Sequence, residues 1–327
     1  MATSCWFTFL AALSVISIGV RAVPAPRTLT ARQDAVTPLP SAEIAAFKPY
    51  TWYASTAYCE PSSTKAWNCG ENCNANPTFK PVESGGVVNE TQNWYVGYDP
   101  TLNEVIVGLS PGDLPFIIDL EVILVPLDAE LFPGVDPNVL VHAGFAATQN
   151  RHVPPWLSAP GVIAAVKEAL SLYPTENVTV VGHSLGEFSL AVIAVLCPHL
   201  PLGTGAATAL LHAVYLPLHL PSDVNVRYIG YASPRVGNQA WANYVDSLHI
   251  STTRINNKED PVPVLPPIEV FGYHHASGEV RIRDDDIWVS CPGQDNPSDQ
   301  CSTGAVNFLN SNATQHPGPY DGVTMQC

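Results

Sequence analysis

The sequence predicts an α/β domain with a mostly parallel central sheet flanked by helices. Three observations carry this expectation. Asn177–Val181 (NVTVV), Val226–Tyr231 (VRYIGY) and Thr252–Ile255 (TTRI) are of strand length and rich in β-branched residues. Strands covered by helices on both faces read this way. Between and around them lie Pro160–Tyr173 and Leu185–Leu196, apolar stretches too long for a single strand. The two kinds of element alternate along the chain, which implies parallel crossovers and places reactive groups at the carboxyl edge of the sheet.

In chain order, Trp6–Val20 (WFTFLAALSVISIGV) is an apolar core of signal-peptide length, and Val20-Arg21-Ala22 offers a small residue for cleavage. Residues 1–22 are therefore read as a signal peptide, a membrane anchor being the alternative. Residues 23–40 read as a pro-segment or linker and 41–327 as the folded domain. Ser41–Tyr50 predicts a helix, followed by a cysteine-bearing loop region up to Gly86. Asn93–Tyr98 and Glu104–Leu109 flank Asp99-Pro-Thr-Leu-Asn as the strands of a hairpin. Val139–His142 is a short strand. Within Pro160–Tyr173, Val162, Ile163, Val166, Ala169, Leu170 and Tyr173 fall on one helical face.

Apolar residues make up 46% of the chain and charged residues 13%, the composition of a folded globule. Residues 1–32 hold three arginines and no acid, so the rest of the chain carries a formal charge of −18. Such a balance repels nucleic acid and anionic membranes, and excludes nucleic acid as an expected partner. Beyond the N-terminus there is no uninterrupted apolar run of membrane-spanning length. Cys59, Cys69, Cys73, Cys291, Cys301 and Cys327 lie in polar, turn-rich sequence, as disulfides do in secreted proteins. Zinc is the competing reading for Cys69 and Cys73. Cys197, at the end of an apolar stretch, reads as a buried thiol. Sequons at Asn89, Asn177 and Asn312 permit glycosylation. The expected location is extracellular and the expected state a monomer.

Gly182-His183-Ser184-Leu185-Gly186 joins the Asn177 strand to the Leu185–Leu196 stretch. A serine in a sharp strand-to-helix turn needs small neighbours, and its hydroxyl then stands above the sheet edge. The next backbone N–H, that of Leu185, can face a developing oxyanion. A serine nucleophile also needs an imidazole base and an acid to orient it. Downstream, Asp260 opens a proline-stiffened loop after a strand. Fifteen residues further on, His274 and His275 lie in Phe271-Gly-Tyr-His-His-Ala-Ser-Gly-Glu279. On residue pattern alone, Asp260 can equally be a turn residue and either histidine a surface one.

The chain resembles the class 3 fungal secreted lipases of the α/β-hydrolase superfamily, basidiomycete members above all, from about Tyr58 to Cys327. The resemblance rests on Cys59-Glu-Pro-Ser-Ser-Thr, Trp67-Asn-Cys-Gly, Val141-His-Ala-Gly-Phe145, the serine turn, Ser233-Pro-Arg-Val-Gly-Asn238, Asp260-Pro-Val-Pro and His275-Ala-Ser-Gly-Glu279. It implies a single α/β-hydrolase domain with Ser184 as nucleophile, Asp260 as acid and His275 as base. It implies disulfides Cys59–Cys327, Cys69–Cys73 and Cys291–Cys301. It calls for no metal or organic cofactor, and for a lipid or ester substrate met at a lipid–water interface. A triacylglycerol lipase is the expectation, with a feruloyl-type or short-chain esterase, and a weakly active or non-catalytic homologue that binds lipid or wall polymer, as the alternatives. Two departures stand out. Ser110-Pro111-Gly112-Asp113 occupies the turn of the second oxyanion donor, and Pro111 has no N–H, which leaves Ser110 as the candidate. Glu187-Phe188 stands where the family has a small residue. Loss of one oxyanion donor lowers turnover about 10²–10³-fold. Leu114–Val125 reads either as an apolar lid or as a buried strand.

Overall fold

Thirteen strands form two sheets in the computed structural model, which describes residues 35–86, 92–110, 123–149, 158–184, 205–248, 250–307 and 309–327. In chain order the strands are β1 (Thr37–Pro38), β2 (Lys80–Gly85), β3 (Trp94–Asp99), β4 (Glu104–Leu109), β5 (Leu124–Pro126), β6 (Leu140–His142) and β7 (Asn177–His183). They continue as β8 (Asn225–Tyr231), β9 (Gly237–Asn238), β10 (Ser251–Asn257), β11 (Tyr273–His274), β12 (Glu279–Ile282) and β13 (Trp288–Cys291). The main sheet has the order β1-β13-β12-β10-β8-β7-β4-β3-β2. Its centre, β4-β7-β8-β10-β12, is parallel throughout, and antiparallel strands close both edges. The expected hairpin is β3–β4, with Trp94 opposite Leu109.

Side-chain alternation explains why this sheet must be covered on both faces. Val105, Val107 and Leu109 of β4 join one core with Val178 and Val180 of β7, while Ile106 and Val181 join the other. The first core takes Val162, Val166 and Ala169 from helix Ser158–Leu172, and Ala207, Leu210 and Val214 from helix Gly205–Tyr215. The second takes Tyr50, Tyr53, Ala54 and Ala57 from helix Ser41–Thr56 and the turn after it. Burying each such branched side chain contributes about 1.5–3 kcal/mol, so a strand hydrophobic on both faces is stable only between two helical layers.

Three disulfides pair Cys59 with Cys327, Cys69 with Cys73 and Cys291 with Cys301, and the first joins residues 268 apart. Within the stretch read as linker, Thr37–Pro38 pairs with Val289–Ser290, so ordered sheet begins ahead of Ser41. Of Leu114–Val125, only the end is described, and Leu124–Pro126 there forms a strand of the smaller sheet with β6. The Leu185–Leu196 stretch, Cys197 and Asn89 lie outside the described residues. Among the described residues, no helix is long and apolar enough to cross a membrane.

Candidate active site

Ser184 follows β7 at the carboxyl edge of the parallel strands. Its backbone has φ +73°, a left-handed conformation that costs a side-chain-bearing residue about 1–2 kcal/mol. The neighbourhood imposes that cost. Its N–H donates to Tyr231 O at 2.9 Å, and its own carbonyl accepts from Ala206 N–H at 2.9 Å. On one side, a Cβ at Gly182 would stand 2.4 Å from Gly205 O. On the other, a Cβ at Gly205 would stand 2.4 Å from His183 O and 2.8 Å from Leu109 O. Only glycines let these backbones approach so closely.

The hydrogen bond from Ala206 bears on the chain path. Ala206 belongs to the helix that runs from Gly205 to Tyr215, so the helix that meets the nucleophile's carbonyl is this one, a segment (GAATALLHAVY) that sequence reading left unassigned. Gly205-Ala206 has the small side chains that the tight corner requires.

Ser184 Oγ lies 2.6 Å from His316 Nε2, and His316 Nδ1 lies 2.9 Å from Asp260 Oδ2. The carboxylate can only accept, so Nδ1 carries the proton and Nε2 is left to accept from the serine hydroxyl. Asp260 Oδ1 accepts from Val262 N–H at 2.9 Å. Serine, histidine and aspartate are all buried, at 1%, 4% and 1% exposure, so their hydrogen bonds operate away from competing water. Asp260 sits three residues beyond β10. The His316 segment docks against the same loop: Asn257 Nδ2 donates to Gln315 O at 2.8 Å, Glu259 N–H to Gln315 Oε1 at 2.7 Å and Asn312 N–H to Glu259 O at 2.8 Å.

The expectation of His275 as base is corrected by this geometry. His275 is buried elsewhere, its Nε2–H donating to Pro263 O at 2.7 Å and its backbone N–H to Asp295 Oδ2 at 2.8 Å. Burial, and then the Arg254 charge, hold its imidazole well below the usual histidine range, so it stays neutral. The chain position gives the reason. His275 leads into the parallel strand β12, whereas Ser184 and Asp260 each follow the carboxyl end of theirs. His274 is no substitute, its Nδ1 lying 3.4 Å from Asp295 Oδ2. His316 was missed because Ala-Thr-Gln-His-Pro carries no conspicuous pattern. The signal that could have found it is Cys327, eleven residues on, whose disulfide to Cys59 draws the terminal segment back across the domain.

The expected oxyanion donor Leu185 lies outside the described residues. Ser110, at the end of β4, is buried; its Oγ accepts from Asn93 N–H at 3.1 Å and its N–H donates to Asn93 O at 2.9 Å. It borders Gly205, whose Cβ would lie 3.1 Å from Ser110 C. Among the described residues, no group of His, Cys, Asp and Glu is arranged to hold a metal ion.

A serine, an imidazole and a carboxylate in this relay can deprotonate the serine as it attacks a carbonyl carbon and then return the proton to a leaving group. Known proteins share this framework. The family model for class 3 lipase matches residues 203–270. A secreted mono- and diacylglycerol lipase of Fusarium solani is 30% identical over 82% of this chain and 73% of its own length. A lipase of Rhizomucor miehei is 30% identical over 82% of this chain and 66% of its own. Among solved structures, lipase II from Rhizopus niveus superposes with a TM-score of 0.69 at 25% identity, covering 90% of this chain and all of that one. On this fold, this site and these relatives, the chain belongs to the class 3 lipases, secreted fungal ester hydrolases of the α/β-hydrolase superfamily.

Proposed function

We propose that the chain hydrolyses carboxylic esters of acylglycerols through an acyl-enzyme on Ser184, with His316 as base and acid and Asp260 as its orienting partner. The observation that carries this reading is the Ser184–His316–Asp260 relay at 2.6 and 2.9 Å. Ser184 Oγ attacks the ester carbonyl as its proton passes to His316 Nε2. The imidazolium so formed is stabilised by the Asp260 carboxylate and gives the proton to the departing alcohol. Water then attacks the acyl-enzyme, His316 taking its proton, and the carboxylic acid leaves. Leu185 N–H is the oxyanion donor this scheme calls for, with Ser110 as the second candidate, and no cofactor enters any step. The relative named a secreted mono- and diacylglycerol lipase supports an acylglycerol substrate.

A chain-length series of p-nitrophenyl esters beside emulsified tri-, di- and monoacylglycerols tests the reading, with Ser184→Ala as control. Release of fatty acid from acylglycerols by the wild type and not by Ser184→Ala is expected. Activity confined to short or aromatic esters would replace the lipase by an esterase on the same scaffold. Equal rates for the two proteins would leave a binding homologue.

A further inference from the structure

His183 immediately precedes the nucleophile, yet the reaction scheme gives it no part. It is 2% exposed, and its ring lies against the histidine of the relay in a tilted contact, the centroids 4.6 Å apart and the planes 38° to one another. Each ring nitrogen is engaged. Nε2 lies 2.9 Å from the backbone carbonyl of His316, and Nδ1 lies 2.5 Å from Tyr58 Oη. A carbonyl can only accept, so Nε2 carries the proton, Nδ1 is the acceptor and the Tyr58 hydroxyl donates to it. The same His316 carbonyl accepts a second hydrogen bond from Tyr320 Oη at 2.9 Å. Tyr320 is fully buried and packs edge-on against His183 and Tyr231, with centroids 5.9 and 5.3 Å away.

From these contacts we propose that Tyr58, His183 and Tyr320 form a clasp on the backbone carbonyl of His316, and that this clasp positions the base over Ser184. The proposal rests on His316 being the base. It answers a specific difficulty of this fold. His316 belongs to a terminal segment with little regular structure, a 3₁₀ turn at Ala313–Gln315 and a bridge between Tyr320 and Val323. Nothing in such a segment fixes an imidazole to the fraction of an ångström that proton transfer needs. His183 is rigidly placed, because it is the last residue of β7, paired with Tyr231 in the centre of the sheet. By reaching from the strand that ends at the nucleophile to the backbone of the base, it ties both reacting groups to one support. The contact is also electrostatically suitable. Burial, and then the neighbouring His316, hold His183 well below the ordinary histidine range, so it is a neutral ring against which an imidazolium can form. Burial likewise pushes the Tyr58 and Tyr320 hydroxyls up, so both remain donors.

These are positioning residues, and the test must separate positioning from general damage. His183→Ala, His183→Gln, His183→Asn and Tyr320→Phe are assayed in the full chain for kcat and KM on a soluble p-nitrophenyl ester. Wild type and Ser184→Ala are run alongside, with melting temperatures for all. The amide nitrogen of Gln reaches the place of Nε2 and can donate to the His316 carbonyl, whereas that of Asn reaches only the place of Nδ1. His183→Ala and His183→Asn are expected to lower kcat by about 10–100-fold with KM within about twofold, since a misplacement of ~1 Å costs on that order. His183→Gln should recover to within about fivefold of wild type, and the isosteric Tyr320→Phe should lose about 3–10-fold in kcat, one of two donors being removed. Wild-type kcat in His183→Ala, or equal recovery by Gln and Asn, overturns the clasp. Should the alanine variant not fold, an unchanged kcat in Tyr320→Phe overturns it alone. A wild type no faster than Ser184→Ala would instead refute the ester-hydrolase reading, an outcome distinct from either.

Discussion

Replacing Gly205 by alanine is the sharpest perturbation of the way this chain builds its nucleophile turn. The position is twenty-one residues downstream of Ser184, yet its added Cβ would stand 2.4 Å from His183 O and 2.8 Å from Leu109 O. Carbon–oxygen contacts settle near 3.3–3.6 Å, so two backbones that flank the nucleophile must part by about 0.5–1 Å. Neither obstacle is a flexible side chain that can swing aside. Overpacking of this kind costs about 1–3 kcal/mol, and a shift of ~1 Å in a reacting group costs on the order of 10²-fold in rate. Gly205→Ala is therefore expected to lower kcat on p-nitrophenyl butyrate by about 10–100-fold. It should lower the melting temperature by about 2–12 °C, at roughly 2–4 °C per kcal/mol for a domain of this size. Titration of reactive serine with a fluorophosphonate separates a slowed site from a smaller folded fraction. Wild-type kcat and melting temperature together would refute the claim that Gly205 abuts the serine turn.

Two further expectations follow from the described contacts. Replacing Cys59 and Cys327 together by serine removes a bridge across 268 residues and should cost about 5.6 kcal/mol by chain entropy. Activity should fall at a lower denaturant concentration than global structure, because the His316 segment is anchored by that bridge; coincident transitions would contradict it. Acid should destabilise the fold early. Burial lowers His142 to about 4 and His212 to about 3, below the unfolded value near 6.5. A group depressed on folding contributes its stability above the unfolded pKa and loses it as pH falls toward the folded one, so the melting temperature should drop from about pH 6.5 downward. A flat profile between pH 7 and 4 would rule this out.

Most of the fold was legible in the sequence because its signals are local. β-branched runs mark β7, β8 and β10, and Val162, Val166 and Ala169 mark a buried helix face by their spacing alone. Ser184 and Asp260 were legible for a related reason, since each is fixed by the strand it follows. His316 was not, because its place is set by tertiary contacts: the side-chain amide of Asn257, the backbone N–H and carbonyl of Glu259, the Tyr320 hydroxyl and the Cys59–Cys327 disulfide. The histidine that stood out, His275, owes its Ala-Ser-Gly setting to the entry of β12, where Gly278 comes against the carbonyl of Thr252. The Gly205–Tyr215 helix was not legible either, because hydrophobic pattern cannot show that a segment twenty-one residues on packs against the nucleophile turn.

The central claim is that the base is His316, and it is tested most directly by comparing kcat/KM for His316→Ala and His275→Ala on one soluble ester, each with its melting temperature. Loss of the base in a serine–histidine–aspartate relay lowers turnover by about 10⁴–10⁶-fold. His316→Ala is expected to fall by that order while its melting temperature stays within a few degrees of wild type. His275→Ala, which removes only a buried neutral ring, should keep kcat/KM within about tenfold in the folded fraction while losing stability. The reverse pattern, an active His316→Ala and an inactive but folded His275→Ala, would contradict the account.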